Sequence, residues 1–108
     1  MIMINNNDYC DYDTCIALKE LGFPLVAKEV RYEDNAVFVP GVLLYAAQKW
    51  LRDEKKIHIE VLYQPATWTC KIYKLTTYEY IKGYTCFVSY EEALLEGIKE
   101  AIKILKEE

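Results

Sequence analysis

One histidine, three prolines and four scattered glycines are all that this 108-residue chain holds of those residue types, and each scarcity removes something. Four isolated glycines cannot build a P-loop or a dinucleotide fingerprint, and no nucleophile elbow is present. A basic footprint is missing too: Lys+Arg 13 against Asp+Glu 17 gives a formal net charge of -4. That balance counts against a phosphate-backbone partner, yet it is too mild for a nucleic-acid mimic. There is no long apolar run. Met1-Ile2-Met3-Ile4 stops at Asn5-Asn6-Asn7 without a basic flank, so it is expected to be a short strand or arm, neither a signal peptide nor a membrane span. With no export signal, the four cysteines are expected as free thiols in a reducing cytoplasm, that of the host cell.

What the chain does have is material for one core. Hydrophobic residues make up 53% and charged residues 28%, an ordinary globular balance, and residues 1–108 are expected to form a single domain without disulfide staples. The organising stretch is Pro40 to Tyr63. Leu43, Ala46, Ala47, Trp50 and Leu51 follow the spacing of one buried helical stripe, with Gln48, Lys49, Arg52 and Asp53 opposite. After Glu54-Lys55-Lys56, Ile57, Ile59, Val61 and Tyr63 alternate with His58, Glu60 and Leu62, a strand period.

Before that stretch, Asp11 or Asp13 can cap a helix over Thr14 to Leu21, with Cys15 and Leu18 inward. Gly22-Phe23-Pro24 stops it. Leu25 to Tyr32 and Ala36 to Val39 read as a hairpin about Glu33-Asp34-Asn35, and a helix follows near Val42 to Glu54. After Tyr63 come the turn Gln64 to Thr67 and a strand Trp68 to Leu75. Thr76 to Lys82 reads as strand or loop, and Tyr84 to Val88 as a further strand beyond Gly83. Ser89 and Glu92 form a capping box, and Val88 with Ala93 a hydrophobic staple. The last helix carries the stripe Leu94, Ile98, Ala101, Ile102 and Leu105, with acids early and lysines late. Gly97 within it costs about 1 kcal/mol relative to Ala, so it marks either a close approach to another element or a merely tolerated glycine. The expected fold is α+β: three helices on a mainly antiparallel sheet of four to six strands, in the order α-β-β-α-β-β-(β)-α. Leu18, Leu21, Val30, Leu43, Ala47, Trp50, Leu51, Ile59, Val61, Ile72, Leu94, Ile98, Ala101, Ile102 and Leu105 are the expected core. Similar residues in 17–21 and 47–51, and in 29–32 and 60–63, allow a degenerate two-fold repeat with both hairpins in one sheet, or chance composition.

Candidate chemistry is thin. Cys10, Cys15, Cys70 and Cys86 are spaced C-x4-C and C-x15-C, unlike the close pairs of structural zinc sites, so neither metal nor cofactor is expected. His58 with Cys70 is a conceivable nucleophile pair across one turn, set against a solvent-facing strand histidine. Asp8, Asp11 and Asp13 lack the glycine and closing glutamate of a calcium loop and read as helix capping. Lys49, Arg52, Lys55 and Lys56 read as solvated charges matching a helix C-terminus, set against a phosphate site.

Tyrosine is the surplus: ten residues, six of them between Tyr63 and Tyr90. Large, rigid and amphipathic, tyrosine suits protein recognition, and Tyr73, Tyr78, Tyr80 and Tyr84 are the candidate partner-binding residues. The bland alternative is strand packing. The same aromatics interleaved with Lys71, Lys74 and Lys82 could stack bases of a single strand.

AAQKWLRDEKKIHIEV, a tryptophan-bearing strand, and SYEEALLEGIKEAIKIL, with the early TCIALKELGF helix, resemble small phage and prophage proteins of gut bacteria that have no assigned activity. The likeness runs from about Asp13 to Leu105. Its motifs are packing and capping motifs, so it implies a mobile-element accessory role and transfers no functional residue. A helix-strand-strand-strand-helix run also occurs in double-stranded RNA-binding domains, but Ser89-Tyr90-Glu91-Glu92 is acidic where a basic helix start is needed. The leading expectation is therefore a non-enzymatic protein-interaction module that meets a protein partner or a second copy of itself, with no membrane partner. A nucleic-acid accessory protein is the alternative, and a small Cys/His enzyme a third reading.

Overall fold

The computed structural model describes residues 8–25, 27–32 and 35–108, the segments 27–32 and 35–40 by backbone alone. Eight elements follow in order: α1 (Tyr12–Glu20), β1 (Ala27–Tyr32), β2 (Asn35–Pro40), α2 (Leu44–Lys55), β3 (Ile57–Gln64), β4 (Thr67–Lys74), β5 (Glu79–Phe87) and α3 (Tyr90–Lys106). The class is α+β, with three helices and a three-stranded antiparallel sheet ordered β3-β4-β5. Among the described residues the larger sheet has three strands, not the expected four to six. Among the described residues β1 and β2 pair with each other and with no other strand, Ala27 opposite Pro40 through Tyr32 opposite Asn35. On the β3 edge of the larger sheet one backbone group is already taken. β4 takes β5 on its second side, and on the outer side of β3 the Gln48 Nε2 donates to the Ile59 carbonyl at 2.7 Å. A side-chain amide therefore occupies a backbone group that a further strand would have used. The repeat with both hairpins in one sheet is thus not realised. The expected N-terminal arm and the turn at Glu33-Asp34 fall outside the described residues.

Local chemistry fixes the helices. Asp11 caps α1, its side chain accepting from the Thr14 N–H at 2.8 Å. At the other end Gly22 takes φ +106°, and its N–H and that of Phe23 bond back to the carbonyls of Lys19 and Leu18. Phe23 then packs edge-on against Trp50 at 5.3 Å. Ser89 caps α3, accepting from the Glu92 N–H at 3.1 Å, while the Glu92 carboxylate reaches back to the Val88 N–H. The expected staple is absent: Val88 is 85% exposed, so it cannot cover Ala93.

The core lies between the helices and one face of β3-β4-β5. Leu18, Ala47, Leu51, Ile59, Ile72, Leu94, Ile98, Ala101 and Ile102 are buried as expected. Leu44, not Leu43, enters the core at the start of α2, because Leu43 is spent as the extended N-cap residue and bridges Tyr9. Leu21, Trp50, Val61 and Leu105 only lean on the core from its margin. Val30 lies among the backbone-only residues. Gly97 is where α3 meets the sheet: a Cβ there would stand 2.5 Å from the Ile59 Cγ2. That contact accounts for a glycine within a buried helical stripe, at a propensity cost of about 1 kcal/mol.

Candidate functional site

Strand register divides the candidate residues between two faces, since directly opposed residues of an antiparallel pair share a side. Ile59 faces Ile72, Val61 faces Cys70 and Tyr63 faces Trp68, all on the side covered by α3. His58 faces Tyr73, Glu60 faces Lys71 and Leu62 faces Thr69 on the other side. The described helices bury their side chains against the first face, and on the second His58, Glu60, Leu62, Lys71 and Tyr73 are half-buried and Thr69 is buried.

The uncovered face carries an aromatic row. His58 stacks on Tyr73 with centroids 6.5 Å apart and ring planes at 27°. Tyr73 meets Tyr80 of β5 edge-on at 5.6 Å. Gly83 makes room for this pair, because a Cβ there would lie 2.8 Å from the Tyr80 hydroxyl and 3.0 Å from the Cys70 carbonyl. Beside the row, Thr69 donates its hydroxyl to that of Thr85 at 2.9 Å, joining β4 to β5. Within the row the His58 Nδ1 is shielded from solvent and has no hydrogen-bond partner among the described residues.

The four candidate tyrosines therefore do not form one patch. Tyr73 and Tyr80 come together. Tyr78 stands at the β4–β5 turn, 91% exposed, with φ +57°. Tyr84 is opposite Cys70, on the side of α3, where it interacts with Lys82. Three further aromatics make a second cluster on that side, Trp68 meeting Tyr63 at 5.0 Å and Tyr90 at 5.5 Å. Period-2 reading of residues 76–88 could not place these side chains, because β5 is irregular between Trp68 and Cys70 and between Ile72 and Tyr73 of its partner.

The lysines of the alternative reading are largely engaged. Lys74 bonds Glu108 at 2.9 Å and Lys82 bonds Glu100 of α3, and these carboxylates raise both ammonium pKa values. Only Lys71 sits on the aromatic face, opposite Glu60. His58 and Cys70 fall on opposite faces of the sheet, so the histidine cannot serve as base to that thiol. Burial raises the Cys70 thiol. Cys10 is pushed up to about 12 by burial, with Cys15 and Asp11 adding to it. The four thiols are free and dispersed, with Cys10 and Cys15 at α1, Cys70 under α3 and Cys86 exposed on β5. No group of potential metal ligands assembles among the described residues. Asp11, of the acidic run, is occupied as a helix cap and in an ion pair with Lys99 at 3.1 Å. Among the described residues no helix is long and apolar enough to cross a membrane.

The fold and this face define an α+β protein with a half-open antiparallel sheet. No family model, curated protein or solved structure matches the chain.

Proposed function

We propose that the chain is a non-enzymatic protein-interaction module whose contact surface is the uncovered face of β3-β4-β5. The observation that carries this reading is the row His58, Tyr73 and Tyr80 on that face, continued by Tyr78 at the adjoining turn. Rigid aromatic surface with few rotatable bonds loses little entropy on docking. Tyr78 adds a separate argument. A bulky residue in the left-handed region costs about 1–2 kcal/mol, and a side chain in solvent returns none of it to the core. Strain held at an exposed aromatic points to use outside the fold.

Tyr84, on the other side, belongs to the edge facing Lys82 and is peripheral to this surface. The phage or prophage setting, and with it the host cytoplasm, rests on the resemblance of the QKWLRDEKKIHI and YEEALLEGIKEAIKIL segments. The partner is a protein, either of the host or a second copy of the chain. The test is affinity capture from host lysate with and without nuclease, using the wild-type chain and a Tyr73→Ser/Tyr78→Ser/Tyr80→Ser variant. A discrete protein retained after nuclease and lost with the folded variant is the expected result. Capture that disappears with nuclease would favour a nucleic-acid partner instead.

A further inference from the structure

A cleft of about 450 Å³ opens away from the sheet face, lined by Asp8, Tyr9, Leu43, Leu44, Tyr45, Tyr90, Glu91 and Leu94. That volume is in the range that holds small ligands. Its frame is fixed by backbone: Tyr9 bridges Leu43, and the Cys10 N–H donates to the Val42 carbonyl at 2.8 Å. Leu44 and Leu94, each nearly inaccessible, make its floor, and Tyr45 and Tyr90 offer exposed rings at its walls.

Charge on the lining has one sign. Among the described residues Asp8 and Glu91 are the ionisable carboxylates of the lining, and no described Lys, Arg or His lines the cleft. A neighbouring cleft shares Tyr9 and Glu91 and adds Asp11 and Glu92, again without a basic residue among the described ones. Those two added acids are already used, Asp11 by Thr14 and Lys99, Glu92 by the Val88 N–H. Asp8 and Glu91 make no ion pair among the described residues. The start of α3 favours anions through its dipole, so Glu91 is comfortable there with or without a ligand. The carboxylates would repel any incoming anion, whereas aromatic faces beside them attract a cation.

We infer that this cleft binds a small organic cation, a protonated amine carried on an apolar body. The ammonium lies between Asp8 and Glu91 against the tyrosine rings, and the apolar part rests on Leu44 and Leu94. The site is separate from the sheet face and stands whether or not that face binds a protein.

The probe is 2-phenylethylammonium, with 2-phenylethanol as its neutral counterpart of similar shape, each titrated into the full chain and followed by amide NMR. Saturable shifts at Leu44, Tyr45, Tyr90 and Leu94 with the amine, at least about tenfold weaker with the alcohol, are expected. Asp8→Asn/Glu91→Gln should weaken amine binding by a similar factor with an unchanged circular dichroism spectrum, since both residues are at the surface. Equal binding of amine and alcohol, or no binding of either, would overturn the inference. So would shifts of the same amides on simple dilution, which would make a second copy the occupant. Contacts from Tyr45 and Tyr90 to residues 1–4 in the ligand-free protein would do so in favour of the chain's own leading segment.

Discussion

Tyr78 and Cys86 both hold positive φ, +57° and +72°, on exposed side chains of the β5 region, and the two residues have different consequences. Replacing Tyr78 by Gly removes the left-handed penalty while adding chain entropy to the unfolded state, a net gain of about 0.5 kcal/mol. Chemical unfolding should therefore give a slightly more stable protein that captures its partner less well, and a destabilised variant would contradict the strain argument. Cys86 is the one exposed thiol, whereas burial raises the pKa of Cys10, Cys15 and Cys70. A thiol reagent at neutral pH should modify one cysteine rapidly and three only on unfolding; Cys86→Ser should abolish the fast phase. The same raised values set an alkaline limit. The unfolded Cys10 thiol ionises near its ordinary 9.0 and the folded one near about 12. Stability is therefore whole below pH 9 and declines as pH rises between those two values, a slope that Cys10→Ser should reduce. At Asp11, burial alone would raise the carboxyl, but hydrogen bonds from Thr14 and the Lys99 partner outweigh it and hold the pKa below 3.8. Its contribution is present above that value and lost as pH falls through the depressed one. Asp11→Ala should cost about 1 kcal/mol at neutral pH and less in acid.

Among the elements, α3 was the most legible in the sequence. Its apolar spacing runs unbroken from Ala93 to Ile102 with a serine cap before it, and a 3.6-residue period over that length has one solution. Gly97 was legible for the same reason, as an exception within a strong pattern. Gly97→Ala should destabilise the protein by about 1 kcal/mol, because crowding of Ile59 outweighs the gain in helix propensity. A urea midpoint above that of the wild type would contradict this packing. β5 was hard to read for the opposite reason: its bulges break the alternation, and Gly83 looks like punctuation although it lies inside the strand. The start of α2 was misread by two residues, Val42 for Leu44, since periodicity cannot tell that Leu43 serves as the cap and Leu44 opens the helix. Sheet membership was not legible at all for β1 and β2. It depends on which strand edges meet in space, a relation between elements that no local pattern encodes.

At the scale of the molecule, one side of β3-β4-β5 is sealed by α3 and the other is left half-exposed. The abundance of tyrosine was visible in the sequence, but its division was not, because register alone puts Tyr73 with Tyr80 and sends Tyr84 to the other side. Register also separates His58 from Cys70 and thereby removes the nucleophile pair that sequence proximity suggested. What remains is a surface, and the proposed function stands on that surface being the one a partner covers. The most direct measurement is the hydrogen-exchange footprint of the chain in complex with its captured protein. The account predicts slowed exchange in residues 69–74 and 79–83, with the outer sides of α2 and α3 unchanged. Protection confined to those helices, with β4 and β5 exchanging as in the free chain, would contradict it.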